Sequence, residues 1–207
     1  MMQTDIKFVV VGHHSRRKMA QRLYSSLGAH HILTDEIGVG ANEMHRRALE
    51  WAAEQPCRVV VLEDDAQPVG GFTEQVGEWL VRFPDNLISF YLGTGRPPQY
   101  QMEIATKLIV SDKTKADFIT IPRLIHGVCY SVPQQHLARV LARWDSSKAA
   151  DYAVGDAHGG SVVYPCYSLV DHADGQSVEI PHDNMPRLER RKAWRLHGKI
   201  NNVEAST

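Results

Sequence analysis

Apolar and polar positions along the first third of the chain follow two rhythms in alternation. Phe8, Val9, Val10 and Val11 run without a polar break, which predicts a strand over residues 6–11 buried on both faces and stopped by Gly12. From residue 16 the spacing changes. Met19, Ala20, Leu23, Tyr24 and Leu27 recur three and four apart, predicting a helix over 16–27 with Gly28 as its C-cap. A short strand follows over 30–33. From Asn42 the helical spacing returns in Met44, Ala48, Leu49, Ala52 and Ala53 and ends before Pro56; residues 58–62 then read as a strand. Strands alternating with helices in this way predict a doubly wound, mostly parallel sheet.

The second half is less regular. Residues 72–81 read as a helix, and 87–92 as a strand closed by the loop Gly93-Thr94-Gly95-Arg96-Pro97-Pro98. Residues 102–110 and 118–121 read as a pair of strands around the polar 111–115 segment. A strand over 126–132 leads into Pro133, placed as a first-turn proline ahead of Leu137, Val140 and Leu141. Residues 151–158 suggest a short helix, and 162–163 and 168–170 strand ends. Arg187, Arg190, Arg191, Lys192, Arg195 and Lys199 form a basic tail expected to begin as a helix after Pro186. The expected architecture is one α/β domain over residues 1–185, its central sheet mixed but mostly parallel and flanked by helices. The basic tail, 186–207, follows it.

Composition narrows the function classes. The 207 residues are 43% hydrophobic, and 23 Lys+Arg against 24 Asp+Glu leave a formal net charge of -1. Such a balance excludes coating nucleic acid through bulk positive charge. No apolar run approaches the roughly 18–20 residues of a membrane span, so stable membrane insertion is not expected. Residues 1–7 are not followed by a signal-peptide pattern. Cys57, Cys129 and Cys166 are odd in number and lack C-x-x-C spacing, which suits reduced thiols and a cytoplasmic location.

Three segments carry candidate chemistry. Val59-Val60-Val61-Leu62 is followed directly by Glu63-Asp64-Asp65, three acids at the carboxyl end of a strand, where open α/β sheets place ligands. Unpaired buried carboxylates are costly and repel one another, so a divalent cation such as magnesium or manganese is one answer. A solvated acidic loop is the other. Ser168-Leu169-Val170-Asp171-His172 ends a second short apolar run, and carboxylate plus imidazole suits manganese. Asp151 opens a short helix, as a general base over the sheet edge or as a plain N-cap.

In this order the segments resemble a GT-A glycosyltransferase, and within that class family 25 and its phage-encoded relatives. The resemblance rests on Leu62-Glu63-Asp64-Asp65, on Gly127-Val128-Cys129-Tyr130-Ser131-Val132-Pro133, on Asp151-x-x-x-Gly155, and on Pro165-x-x-Ser168-Leu169-Val170-x-His172. It spans roughly residues 6–178. At the family's Gly-Cys-x-x-Ser-His signature this chain reads Gly40-Ala41-Asn42-Glu43-Met44-His45.

The resemblance implies a GT-A fold with a nucleotide-binding half, 6–92, and an acceptor half, 93–185. It implies Asp65 and His172 as ligands of Mn2+ (or Mg2+), with Glu63 and Asp64 at the donor. Val11, Gly12, His13 and Arg16 would hold the nucleoside, and Asn42 and Arg46 would contact the donor. Asp151 resembles the acid used near the acceptor, with Asp156 as its competitor. The implied activity moves a sugar from a nucleotide-sugar donor, a UDP-hexose, to a hydroxyl on a glycan, a protein or a modified DNA base. The same acidic site would also serve a nucleotidyltransferase, a metal-dependent hydrolase or a non-catalytic nucleotide-sugar-binding protein. A single glycine in Gly12-His13-His14-Ser15-Arg16-Arg17 counts against the nucleotidyltransferase.

Overall fold

The computed structural model describes residues 5–173, 178 and 191–200. Valine-rich runs with no polar break become central strands because both of their faces are covered. In β1 (Ile6–His13), Val9 and Val11 pack into one cluster and Phe8 and Val10 into another across the sheet. β3 (Arg58–Glu63) repeats the alternation, with Val59 and Val61 on one face and Val60 and Leu62 on the other. The remaining strands are β2 (His31–Asp35), β4 (Ala66–Pro68), β5 (Ile88–Ser89), β6 (Phe118–Ile121), β7 (Cys129–Ser131), β8 (Val162–Pro165) and β9 (Val170–His172).

Seven strands form one sheet in the order β2-β1-β3-β7-β5-β8-β6. Pairing is parallel for β2-β1, β1-β3 and β5-β8, and antiparallel around β7 and at β6. Five strands therefore share one direction, and only β7 and β6 oppose it. The result is a mixed, mostly parallel Rossmann-like sheet.

Helices cover both faces. α1 (Arg17–Leu27) and α3 (Phe72–Arg82) pack Ala20, Leu23, Phe72, Val76 and Leu80 onto one. The other carries α2 (Ala41–Ala53), α4 (Pro98–Thr114), α5 (Leu137–Ala142) and α6 (Ala150–His158). Gly28 caps α1 in the left-handed region, φ 58°, as its place after the helical stripe predicts.

Several expectations are corrected. Residues 102–110 lie inside helix α4. Its core-facing positions are Ile104, Leu108 and Ser111, four and three apart, while Met102, Ile109 and Val110 are exposed. The adjacent β-branched pair Ile109-Val110 imitates a strand, but the buried positions keep the helical period. Of the strand expected over 87–92 only Ile88–Ser89 is paired as one, and of 126–132 only Cys129–Ser131. The strand end at 168–170 is not part of the main sheet; Val170–His172 pairs antiparallel with Ala66–Pro68 in a separate two-stranded sheet. Residues 187–190 of the expected tail helix lie outside the described residues. Its continuation, 191–200, is irregular, bent chain and not helix, with Ala193 bridged to Gly93, Leu196 to Ser168 and Ile200 to Val69.

Candidate functional site

The small β4–β9 sheet explains how residues 107 positions apart in sequence meet (172 − 65). β4 begins directly after the acidic triplet, and its first residue, Ala66, pairs with His172. The Ala173 N–H donates to the Asp65 carbonyl at 2.9 Å, extending the ladder by one step. His172 Nε2 thereby stands 3.2 Å from Asp65 Oδ2, both side chains almost fully buried.

The tautomer of a neutral His172 ring follows from geometry. His172 Nδ1 lies 2.7 Å from the Ala173 carbonyl oxygen, which only accepts, so Nδ1 carries a hydrogen. In the neutral ring that leaves Nε2 with a bare lone pair, facing a carboxylate. Among the described residues neither His172 Nε2 nor Asp65 Oδ1 has a hydrogen-bond partner. Burial first, then the Glu63 charge, pushes the Asp65 carboxyl above the ordinary aspartate range, against the pull of His172 and Arg16.

Behind the pair, Arg16 bridges the two aspartates, donating to Asp65 Oδ2 and, at 3.1 Å, to Asp64 Oδ1. Asp64 also accepts the His13 N–H at 2.9 Å. Burial raises the Asp64 carboxyl despite these donors. Val11 and Gly12 bring His13 to that position along β1, with Val11 in register with Glu63. In front, Glu63 Oε1 lies 3.3 Å from His45 Nε2, and His45 Nδ1 lies 3.0 Å from the Tyr130 hydroxyl. Burial works to raise Glu63, but the His45 imidazole, together with His172 and Arg191, keeps the carboxyl below its ordinary range.

Two glycines permit this packing. A Cβ on Gly127 would stand 2.7 Å from Glu63 Oε1 and 3.2 Å from His45 Cε1. A Cβ on Gly155 would stand 2.6 Å from the Leu124 backbone nitrogen, so only glycine lets α6 come this close to the 123–127 segment.

Of these residues Glu63, Gly127 and His172 line a cavity of about 390 Å³ whose wall also includes Arg96, His126, Asp151 and Arg191. That volume is in the range of small-molecule sites. Asp151 lies in the first turn of α6 and accepts the Tyr152 N–H at 2.8 Å. It is not the N-cap, which is Ala149.

The structure thus gathers Glu63, Asp151 and His172 at one cavity, with Asp65 against His172 and Asp64, Arg16, His13, Gly12 and Val11 behind. Three other candidates stand elsewhere. Asn42 donates to the Lys148 carbonyl at 2.8 Å and accepts from Trp144 Nε1 at 2.9 Å, pinning the 144–148 loop onto α2. Arg46 is half-exposed and pairs with Glu50 at 3.1 Å. Asp156 is held by Arg123 at 2.6 Å and Lys148 at 2.8 Å and does not line the cavity.

Sequence reasoning passed over His45, Tyr130 and His126. The available signal was His126-Gly127, a polar side chain beside the glycine that opens the second motif. Among the described residues no group of three or more His, Cys, Asp or Glu side chains is arranged to hold a metal ion. No helix there is long and apolar enough to cross a membrane.

No protein-family model matches the sequence, and no curated protein does. Among solved structures the chain is similar to A197 from STIV, with a TM-score of 0.51 and 9% identity, over 97% of this chain and 100% of that one. At that identity the likeness is one of fold.

Proposed function

We propose that this protein is a metal-dependent glycosyltransferase that moves a hexose from a uridine diphosphate donor to an acceptor hydroxyl. One observation carries the reading: Asp65 and His172, from distant parts of the chain, converge beside a cavity with two buried acceptor atoms unpartnered. Buried acceptors without donors are rare and call for a cation, a proton or a bound water. A carboxylate oxygen and a neutral imidazole nitrogen, the latter oriented by a backbone carbonyl, suit a manganese or magnesium ion. Two protein ligands fall short of a cage. That matches a cation whose remaining positions are filled by substrate phosphate and water. The bound ion would act as a Lewis acid on the diphosphate.

The chain's own groups take the other parts. Arg96 and Arg191 on the cavity wall supply positive charge for phosphate oxygens. Asp151, on the cavity wall, receives the acceptor hydroxyl's proton as the new C–O bond forms and the diphosphate leaves. Glu63, held ionised by His45, faces the donor sugar. The four-motif resemblance to family 25 supports the same assignment.

Thermal shift with a panel of nucleoside diphosphates and nucleotide sugars, with and without Mn2+, tests the reading. Uridine diphosphate should raise the melting temperature by a few degrees only when Mn2+ is present, since a ligand of the native state stabilises by mass action. Asp65→Asn should abolish that shift while the ligand-free melting temperature stays near wild type. A manganese-dependent shift of unchanged size in Asp65→Asn overturns the metal assignment.

A further inference from the structure

His126 takes no part in the chemistry above, yet it carries an unfilled valence at the same cavity. Its Nε2 lies 2.9 Å from the Arg96 carbonyl oxygen, so Nε2 bears the hydrogen. Burial lowers the ring's pKa to about 4, against the raising influence of the Arg96 carbonyl and Glu63, while His172 lowers it further. At neutral pH the ring is therefore uncharged and Nδ1 is a bare lone pair. That atom is buried and has no partner among the described residues.

The ring cannot readily turn to satisfy itself. It stands edge-on to Tyr91, with centroids 5.1 Å apart and planes at 81°, and turning it would give up the bond to Arg96. Its neighbours in sequence are fixed as well. The Ile125 N–H donates to the Tyr164 hydroxyl at 3.0 Å, and Gly127 sits against Glu63. The ring is thus held fixed where it lines a cavity of about 390 Å³.

We propose that His126 Nδ1 accepts a hydrogen bond from a hydroxyl of the hexose held in this cavity, and so selects which sugars the site admits. The proposal rests on the glycosyltransferase reading and adds to it a specificity residue. A ligand with a hydroxyl at the matching position fills the valence. A deoxy or O-methyl analogue leaves a buried acceptor unpaired, which lowers affinity by roughly tenfold to a hundredfold. His126 Nε2–H is committed to the Arg96 carbonyl and Nδ1 carries no hydrogen, so the ring orients the hydroxyl, and the proton of the transfer step goes to Asp151.

The hydroxyl could belong to the donor's hexose or to the acceptor, and two experimental arms separate these. The imidazole nitrogens of the full chain are followed by 15N NMR, with Mg2+ as the diamagnetic ion and the His126 signals assigned by their loss in His126→Asn. One arm adds UDP-glucose, UDP-galactose and UDP-N-acetylglucosamine; the other adds UDP with the methyl glycosides of the same hexoses. Nδ1 should resonate as an unbonded, unprotonated nitrogen in the free protein and move toward the hydrogen-bonded position in one arm. Affinities for monodeoxy analogues in that arm should then show one position losing roughly tenfold or more. In His126→Phe, which keeps an aromatic ring against Tyr91, the preference should shrink to about twofold. UDP binding with an Nδ1 signal that no probe moves overturns the role of His126 and leaves the glycosyltransferase reading standing. Absence of any metal-dependent UDP binding overturns both.

Discussion

Two buried aspartates stand at the carboxyl ends of the two strands that flank β1, and they are oppositely treated. Asp35 closes β2, and its carboxylate accepts four backbone N–H groups, from Ile37, Gly38, Val39 and Gly40, at 2.7 to 3.3 Å. Asp65 follows β3 and meets a guanidinium and an imidazole, with one oxygen left unpartnered. Asp35 fastens the turn that launches α2. Asp65 is supported by its surroundings and left incomplete. Position at a strand's carboxyl end thus says where a ligand can bind, while the state of its hydrogen bonds says which acid is free to bind one.

The sharpest break of that comparison is Asp35→Ala, which should cost about 2–4 kcal/mol in urea unfolding by stripping the partners from four N–H groups. Metal should not restore it. Arg16→Ala should cost about 2–3 kcal/mol, because two buried carboxylates lose their shared cation. Here millimolar Mn2+ should recover part of the loss, and equal damage with and without Mn2+ would count against an ion at Asp65. Gly127→Ala should cost about 1–2 kcal/mol and weaken UDP binding, as its Cβ drives Glu63 off His45.

A smaller effect is pH dependence. Burial works to raise Asp35, but its four N–H donors together hold the carboxyl below the ordinary range. Its contribution is therefore complete above the unfolded aspartate value, about 4, and is lost as pH falls through the lower folded one. Asp35→Asn should flatten this acid limb. Burial, with His136 next, lowers His158 to about 4, so the unfolded chain takes up its proton first. Stability should fall from about pH 6.5 toward pH 4, and His158→Gln should remove part of that slope in melting curves.

The parallel half of the fold is legible because each element there serves one purpose. The runs at Phe8 and Val59 are buried on both faces, and the stripe from Met19 to Leu27 keeps its period to Gly28. In the other half, Ile109 and Val110 look like strand residues yet lie on the exposed side of α4, where only the buried positions reveal the helix. At the site, the triplet and His172 stand out as polar residues closing apolar runs. Their approach does not, since it depends on the three-residue β4, too short to carry a pattern. His45 and His126 were harder still. Each sits among ordinary helix or loop residues, and its importance lies in what its second nitrogen faces.

A further consequence belongs to β9. A nascent chain extending only to Pro165 already contains every strand of the seven-stranded sheet, but it lacks His172 and the segment that brings it to Asp65. Until the next few residues emerge and zip against Ala66–Pro68, the acidic triplet has no imidazole beside it. The strands of the main sheet and the Asp65–His172 pair are therefore completed in that order along the chain.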